Sequence, residues 1–214
     1  SKLLGDQVIL EALSRSIEIA LVAAVLSGVL GTCVALTLAR GSKTESLILE
    51  KLVNLPIVLP EIVTGLSLLC FFVWLSIPLG EFSIIVAHTA FGTAYVTTVV
   101  RARLVAIDPL LEEAASDLGA GPWKIFFDVI LPQLWPGVLS GMLMVFTLSF
   151  DDFSITFFTA GVGATTLPLK IYSMLKFGVS PEVNALSALI LCASLVLVTV
   201  AFWSQQKRGM FKRG

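Results

Sequence analysis

The stretch IEIALVAAVLSGVLGTCVALTLA, Ile17 to Ala39, decides the fold. A membrane-crossing helix needs about 20 predominantly apolar residues, and this stretch supplies them without a break. Working outward, four more stretches read the same way: about Asn54 to Leu75, Phe82 to Val100, Pro136 to Ala160 and Val183 to Trp203. The third of the five, Phe82 to Val100, is less apolar than the first. The expected fold class is therefore all-α, a polytopic membrane helix bundle with five spans. Nothing between the spans reads as a soluble domain, and residues 1–214 form one unit with no internal repeat.

Composition agrees. The chain is 57% hydrophobic and 14% charged, with mean hydropathy +0.96, whereas soluble domains carry about 25% charged residues. Its three cysteines, Cys33, Cys70 and Cys192, lie in apolar runs. Their odd number and lack of motif spacing argue against a disulfide framework or a metal site, and they read as small apolar packing residues.

Lys and Arg set the orientation, because they collect on the cytoplasmic side. Arg40, Lys43 and Lys51 follow the first span, and Arg101, Arg103 and Lys124 follow the third. Lys207, Arg208, Lys212 and Arg213 follow the fifth. The other side holds only Lys2, Arg15, Lys170 and Lys176. The C-terminus is then cytoplasmic and Ser1 outside. An additional helix before Ser1 is expected, giving six spans in the intact protein.

The longest polar gap, about 108–132, carries the most specific pattern. Asp108-Pro109 is a helix start, an N-cap acceptor followed by proline at the first helical position. Leu110 to Leu118 reads as a short acidic helix, stopped by Gly119-Ala120-Gly121-Pro122. A second helix, Trp123 to Leu131, has an apolar face from Ile125, Phe126, Val129 and Ile130, and Pro132 ends it. Ala114 and Ala115 permit close approach by another protein, and Glu113 and Asp117 share a face. On residues alone, a docking element and an amphipathic hairpin resting on the bilayer fit equally well.

Ionisable groups at membrane depth are costly and usually face a cavity. Glu61 lies within the second span beside Pro56 and Pro60, which kink or break that helix. It reads either as a structural carboxylate capping broken backbone or pairing with a partner subunit, or as a substrate contact. Asp151 and Asp152 are adjacent in the fourth span. On a continuous helix they point about 100° apart, so at least one lines a path and the other caps or pairs. Substrate-path involvement is expected of both, of Asp152 somewhat more. Thr89, Thr93 and Thr97, with Gly92, mark one helix face, either pore lining or a small-residue packing stripe. His88, the only histidine, reads as a hydrogen-bonded core residue. Gly161 to Thr166 reads as a loop, Leu167 to Met174 as a short outer helix, and Gly178 to Glu182 as a turn.

Glu113-Ala114-Ala115, three residues, Gly119, nine residues, then Val129-Ile130-Leu131-Pro132 resembles the EAA loop of binding-protein-dependent ABC importer permeases. Val129 stands where that family usually has Ile. The run from Asp151-Asp152-Phe153 through Thr166-Leu167-Pro168 to Gly178-Val179-Ser180-Pro181-Glu182 resembles C-type permeases of spermidine/putrescine importers, over nearly the whole chain. The resemblance implies one transmembrane domain of the ABC importer permease type that lacks the family's first span. It implies Glu113, Ala114, Ala115 and Gly119 as ATPase-docking residues on coupling helices, and Glu61, Asp151, Asp152 and Glu182 as acidic positions of the substrate path. The implied partners are a second permease in a heterodimer, an ATPase dimer and a periplasmic or extracellular polyamine-binding protein, in a bacterial inner membrane and with no nucleic acid.

Polyamines are long flexible cations. Spaced carboxylates bind their ammonium groups, and aromatic faces such as Trp74 or Tyr95 add cation–π attraction. Gly41-Ser42-Lys43 lacks the earlier glycine of a P-loop, so no cofactor is expected in this chain, and ATP and Mg belong to the partner ATPase. Related permeases carry ferric iron, molybdate, sulfate or phosphonates, but an anion calls for Lys or Arg at pore depth. An intramembrane aspartyl enzyme is the distant alternative. It places each Asp on its own helix so that the carboxylates share a proton, whereas here they are sequence neighbours. No His/Cys cluster suits a metal.

Overall fold

Three helices among the described residues are long and apolar enough to cross a membrane: α1 (Gln7–Arg40), α4 (Glu81–Val105) and the run Pro122–Phe150. The computed structural model describes residues 7–176 and, beyond them, 188, 191, 192, 195, 196 and 199. The fifth expected span and the turn at 178–182 lie outside the described residues. Among the described residues α1, α4 and the last of the three runs pack on one another around Ala24, Ala35, Val96, Val100, Leu134 and Val145. Small residues set their closeness. A Cβ on Gly31 would meet the Val96 side chain at 2.6 Å, and one on Gly92 would meet Val145 at 2.7 Å and clash with Ser27.

The threonine face of α4 belongs to this packing. Thr93 and Thr97 each donate to the carbonyl one turn back, at 2.7 Å, and Ser27 of α1 donates to the Thr89 carbonyl at 3.2 Å. Such back-bonding satisfies hydroxyls without breaking a helix. Cys33 and Cys70 are not core packing residues as expected. They are free and exposed, and so is Cys192.

The second span is not one helix. α2 (Lys43–Val58) and α3 (Glu61–Trp74) meet at 111°. Pro60 cannot donate and biases Leu59 away from helical backbone, so the chain turns there. The fourth span also departs from expectation, ending at Phe150 rather than Ala160. Its helix, α7 (Leu131–Phe150), stops at Asp151, and a separate short helix, α8 (Ser154–Thr159), follows.

At the other end of α7 the sequence expectation reverses. Pro132 does not end the preceding helix. α6 (Pro122–Lys124) passes through a π-helical turn, Ile125–Ile130, directly into α7. A proline inside an α-helix crowds the carbonyl four residues back and lacks its own donor. The wider turn just before Pro132 accommodates both. Of the expected apolar face, Ile125, Phe126 and Ile130 pack on the central cluster.

The acidic helix forms as α5 (Leu110–Asp117). Asp108 accepts from the Leu110 N–H at 3.0 Å, and the exit is a Schellman turn. Ala120 N–H donates to the Ala115 carbonyl at 3.0 Å and Gly119 N–H to Ser116 at 2.9 Å, with Gly119 at φ +81°. That left-handed backbone is cheap only for glycine. Beyond α8, α9 (Leu167–Lys176) seats Leu167 and Ile171 against Ile9, Ala20 and Phe150.

Candidate functional site

The two helix breaks meet. α3 and α8 pack closely because residue 65 is glycine. A Cβ there would lie 2.8 Å from the Phe158 ring, 3.2 Å from the Ile155 Cα and 3.2 Å from the Ser154 carbonyl. Phe72, Ala87, Phe91 and Ile155 are buried together beside this contact. The result is a cavity of about 300 Å³ lined by Glu61 and Thr64 from α3, Tyr95 and Phe91 from α4, and Asp151 and Asp152 from the second break.

Three carboxylates therefore share one cavity, although a continuous helix would point Asp151 and Asp152 in different directions. The helix is not continuous, because α7 ends at Asp151. The two aspartates then take different roles. The Asp152 side chain is 7% exposed. Its Oδ2 accepts from the Thr156 N–H at 2.8 Å and from the Thr156 hydroxyl at 2.7 Å, and its Oδ1 accepts from the Ile155 N–H at 3.4 Å. It caps α8 and holds the break in shape. The Asp152 Oδ2 also lies 3.2 Å from His88 Nε2. His88 is buried on α4, with its Nδ1 2.6 Å from the Ser149 hydroxyl and its Nε2 3.0 Å from Thr156. One imidazole thus links α4, α7 and α8, as a hydrogen-bonded core histidine.

Asp151 and Glu61 differ from Asp152. Both are exposed, and neither has an ion-pair partner among the described residues. Glu61 stands in the first turn of α3, where the helix dipole favours a carboxylate. Tyr95 lies edge-on to Phe91, centroids 6.3 Å apart, and presents its ring to the same cavity. Trp74 does not. It is 78% exposed at the end of α3, beside Phe71 at 6.4 Å. Glu182 lies outside the described residues.

Sequence reading missed the binding of Asp152 to His88 and the contribution of Pro56, Thr64 and Phe91. His88 and Asp152 are 64 residues apart, and no local spacing announces such a contact. At the opposite end of the bundle, Glu113, Ala114 and Gly119 are exposed and Ala115 half-buried. Leu118 and Trp123 stand beside them, 89% and 77% exposed. Arg40, in the last turn of α1, holds this loop through Glu112 at 3.3 Å.

Residues 7–207 match the family described as binding-protein-dependent transport system inner membrane component. The chain is 42% identical over 209 residues to the putrescine transport system permease protein PotI of Escherichia coli, covering 94% of this chain and 74% of that one. It is 37% identical over 200 residues to the spermidine/putrescine transport system permease protein PotC of Haemophilus influenzae, covering 94% and 78%. Among solved structures it resembles the inward-facing MetNI methionine ABC transporter, with TM-score 0.76, 19% identity and coverage of 91% of this chain and 94% of that one. It also resembles a bacterial alginate ABC transporter in complex with its alginate pentasaccharide-bound periplasmic protein, with TM-score 0.73, 14% identity and coverage of 94% and 79%. These structures share its fold. The chain belongs to the binding-protein-dependent transport system inner membrane component family.

Proposed function

We propose that this chain is a permease subunit of an ATP-driven, binding-protein-dependent importer of polyamines, and that it forms the translocation path with a second permease. It is a transport subunit, not an enzyme. The observation that carries the reading is the cavity at the two helix breaks, where Glu61 and Asp151 lack any cationic partner among the described residues. A cation with two separated ammonium groups fits such a lining. Charge-assisted hydrogen bonds to carboxylates hold each end, and the Tyr95 face adds cation–π attraction. The relatives named for putrescine and spermidine support the same cargo.

The remaining parts follow from this reading. The loop bearing Glu113, Ala114, Ala115 and Gly119 docks on an ATPase dimer, which binds the ATP and Mg. The exposed Leu118 and Trp123 give that contact apolar area. The coupling-loop end, with Arg40, Arg101, Arg103 and Lys124, faces the cytoplasm, and the C-terminus lies on the same side. An extracytoplasmic polyamine-binding protein delivers cargo to the opposite face. Affinity within the path stays weak, since a tightly held cation does not leave.

The test is uptake of radiolabelled putrescine and spermidine by proteoliposomes holding the complete transporter and its binding protein, with stimulated ATPase activity measured in parallel. Uptake by wild type, lost in Glu61→Gln with ATPase activity retained, is the expected result. A complex that hydrolyses ATP under stimulation yet takes up neither polyamine overturns the cargo.

A further inference from the structure

A second cavity, of about 320 Å³, lies on the coupling-loop side of the first. It is lined by Glu50 and Asn54 of α2 and by Thr97, Thr98 and Arg101 of α4. The two cavities are consecutive along both helices. On α4, Tyr95 faces the acidic cavity and Thr98 the second, a rise of about 4.5 Å. On α2, Pro56 faces the first and Asn54 the second. A solute leaving the acidic cavity toward the coupling loop therefore meets this space next.

An ion pair stands in it. Arg101 Nη1 lies 2.6 Å from Glu50 Oε1, with the two side chains 40% and 37% exposed. It joins α2, the half-span before the Pro60 break, to the unbroken α4. A pair this exposed contributes little to stability, so another cation can exchange with Arg101 at small cost. A buried, multiply bonded carboxylate such as Asp152 has no such freedom.

We propose that Glu50 and Arg101 form a charge-exchange gate below the acidic cavity. An ammonium group released by Glu61 and Asp151 replaces the guanidinium on Glu50 and holds the passage open while it moves on. When the cation leaves, Arg101 closes back on Glu50. The closed pair ties α2 to α4, and it leaves stray cations no free carboxylate. No bond is made or broken, and charge is conserved at every exchange. The proposal rests on the cation reading of the first cavity.

The test separates gate from cargo. Proteoliposomes holding the complete transporter are loaded with tetramethylammonium, a permanent cation that does not cross lipid, and its efflux is followed without ATP. Arg101→Gln is expected to raise efflux several-fold, and the exchanged pair Glu50→Arg/Arg101→Glu to return it toward the wild-type level. Glu50→Gln is expected to lower putrescine uptake several-fold while stimulated ATPase activity persists. An Arg101→Gln complex that hydrolyses ATP and leaks no faster than wild type overturns the gate. Should that variant fail to assemble, the efflux of Glu50→Gln/Arg101→Gln decides instead: a several-fold rise supports the gate, and a wild-type rate overturns it. Absence of polyamine uptake by wild type overturns the cargo alone, because tetramethylammonium reports the gate independently.

Discussion

The break between α2 and α3 and the break between α7 and α8 deliver carboxylates to one cavity, but they are built differently. The first is covalent in origin. Pro60 removes a donor and restricts Leu59, and Glu61 follows as the first residue of the new helix. The second is built by a side chain. Asp152 takes the Ile155 and Thr156 N–H groups in the first turn of α8 and is itself held by His88. A break made by proline leaves its carboxylate uncommitted, whereas a break made by an aspartate consumes it. Of the two neighbours at the second break, Asp151 remains open and Asp152 is structural.

The largest effect expected from breaking this comparison is at Asp152. Removing the Asp152 carboxylate strands the buried Thr156 and His88 groups that bond it, at about 1–3 kcal/mol for each unsatisfied group, so Asp152→Ala should lower the melting temperature of the purified complex sharply or prevent assembly. His88→Ala should show a related loss, and the double variant should cost less than the sum, since the two side chains share hydrogen bonds. A melting series in detergent checks both.

Next in size is Gly65→Val. Its side chain would meet the backbone at Ile155 and Ser154 at 3.2 Å, where nothing flexible can yield. Overpacking of this kind costs about 1–3 kcal/mol, and the separated breaks should lose uptake along with stability. Gly119→Val follows. It forces a β-branched residue to φ +81°, at about 1–2 kcal/mol. The cost falls on the loop proposed to dock on the ATPase, so stimulated ATPase activity of the assembled complex should drop more than the melting temperature of the permease. Glu61→Gln should leave melting almost unchanged and lower uptake. A loss of about 1.4 kcal/mol in cation binding is tenfold.

The difference between the breaks also explains which features are legible in the sequence. Proline chemistry is local, so a disrupted second span is readable from Pro60, and Glu61 with it, although Pro56 stays inside α2. The Schellman turn at Gly119 and the short α9 are equally local. Other features depend on distant partners. The fourth span reads as one apolar run to Ala160 because composition does not reveal that Asp152 finds Thr156 and His88. Pro132 reads as a stop because a π turn leaves no mark in hydropathy. Trp74 and Tyr95 read alike in the sequence because both are aromatic, but the helix face decides, and α3 leaves Trp74 exposed.

The most direct test sets the neighbours against each other. Asp151→Asn and Asp152→Asn are placed in the complete reconstituted transporter, and putrescine uptake, stimulated ATPase activity and melting are measured on the same preparations. The account predicts that Asp151→Asn loses uptake while keeping wild-type stability and ATPase activity, and that Asp152→Asn loses stability or assembly first. Wild-type uptake by Asp151→Asn, or a fully stable Asp152→Asn complex, would contradict it.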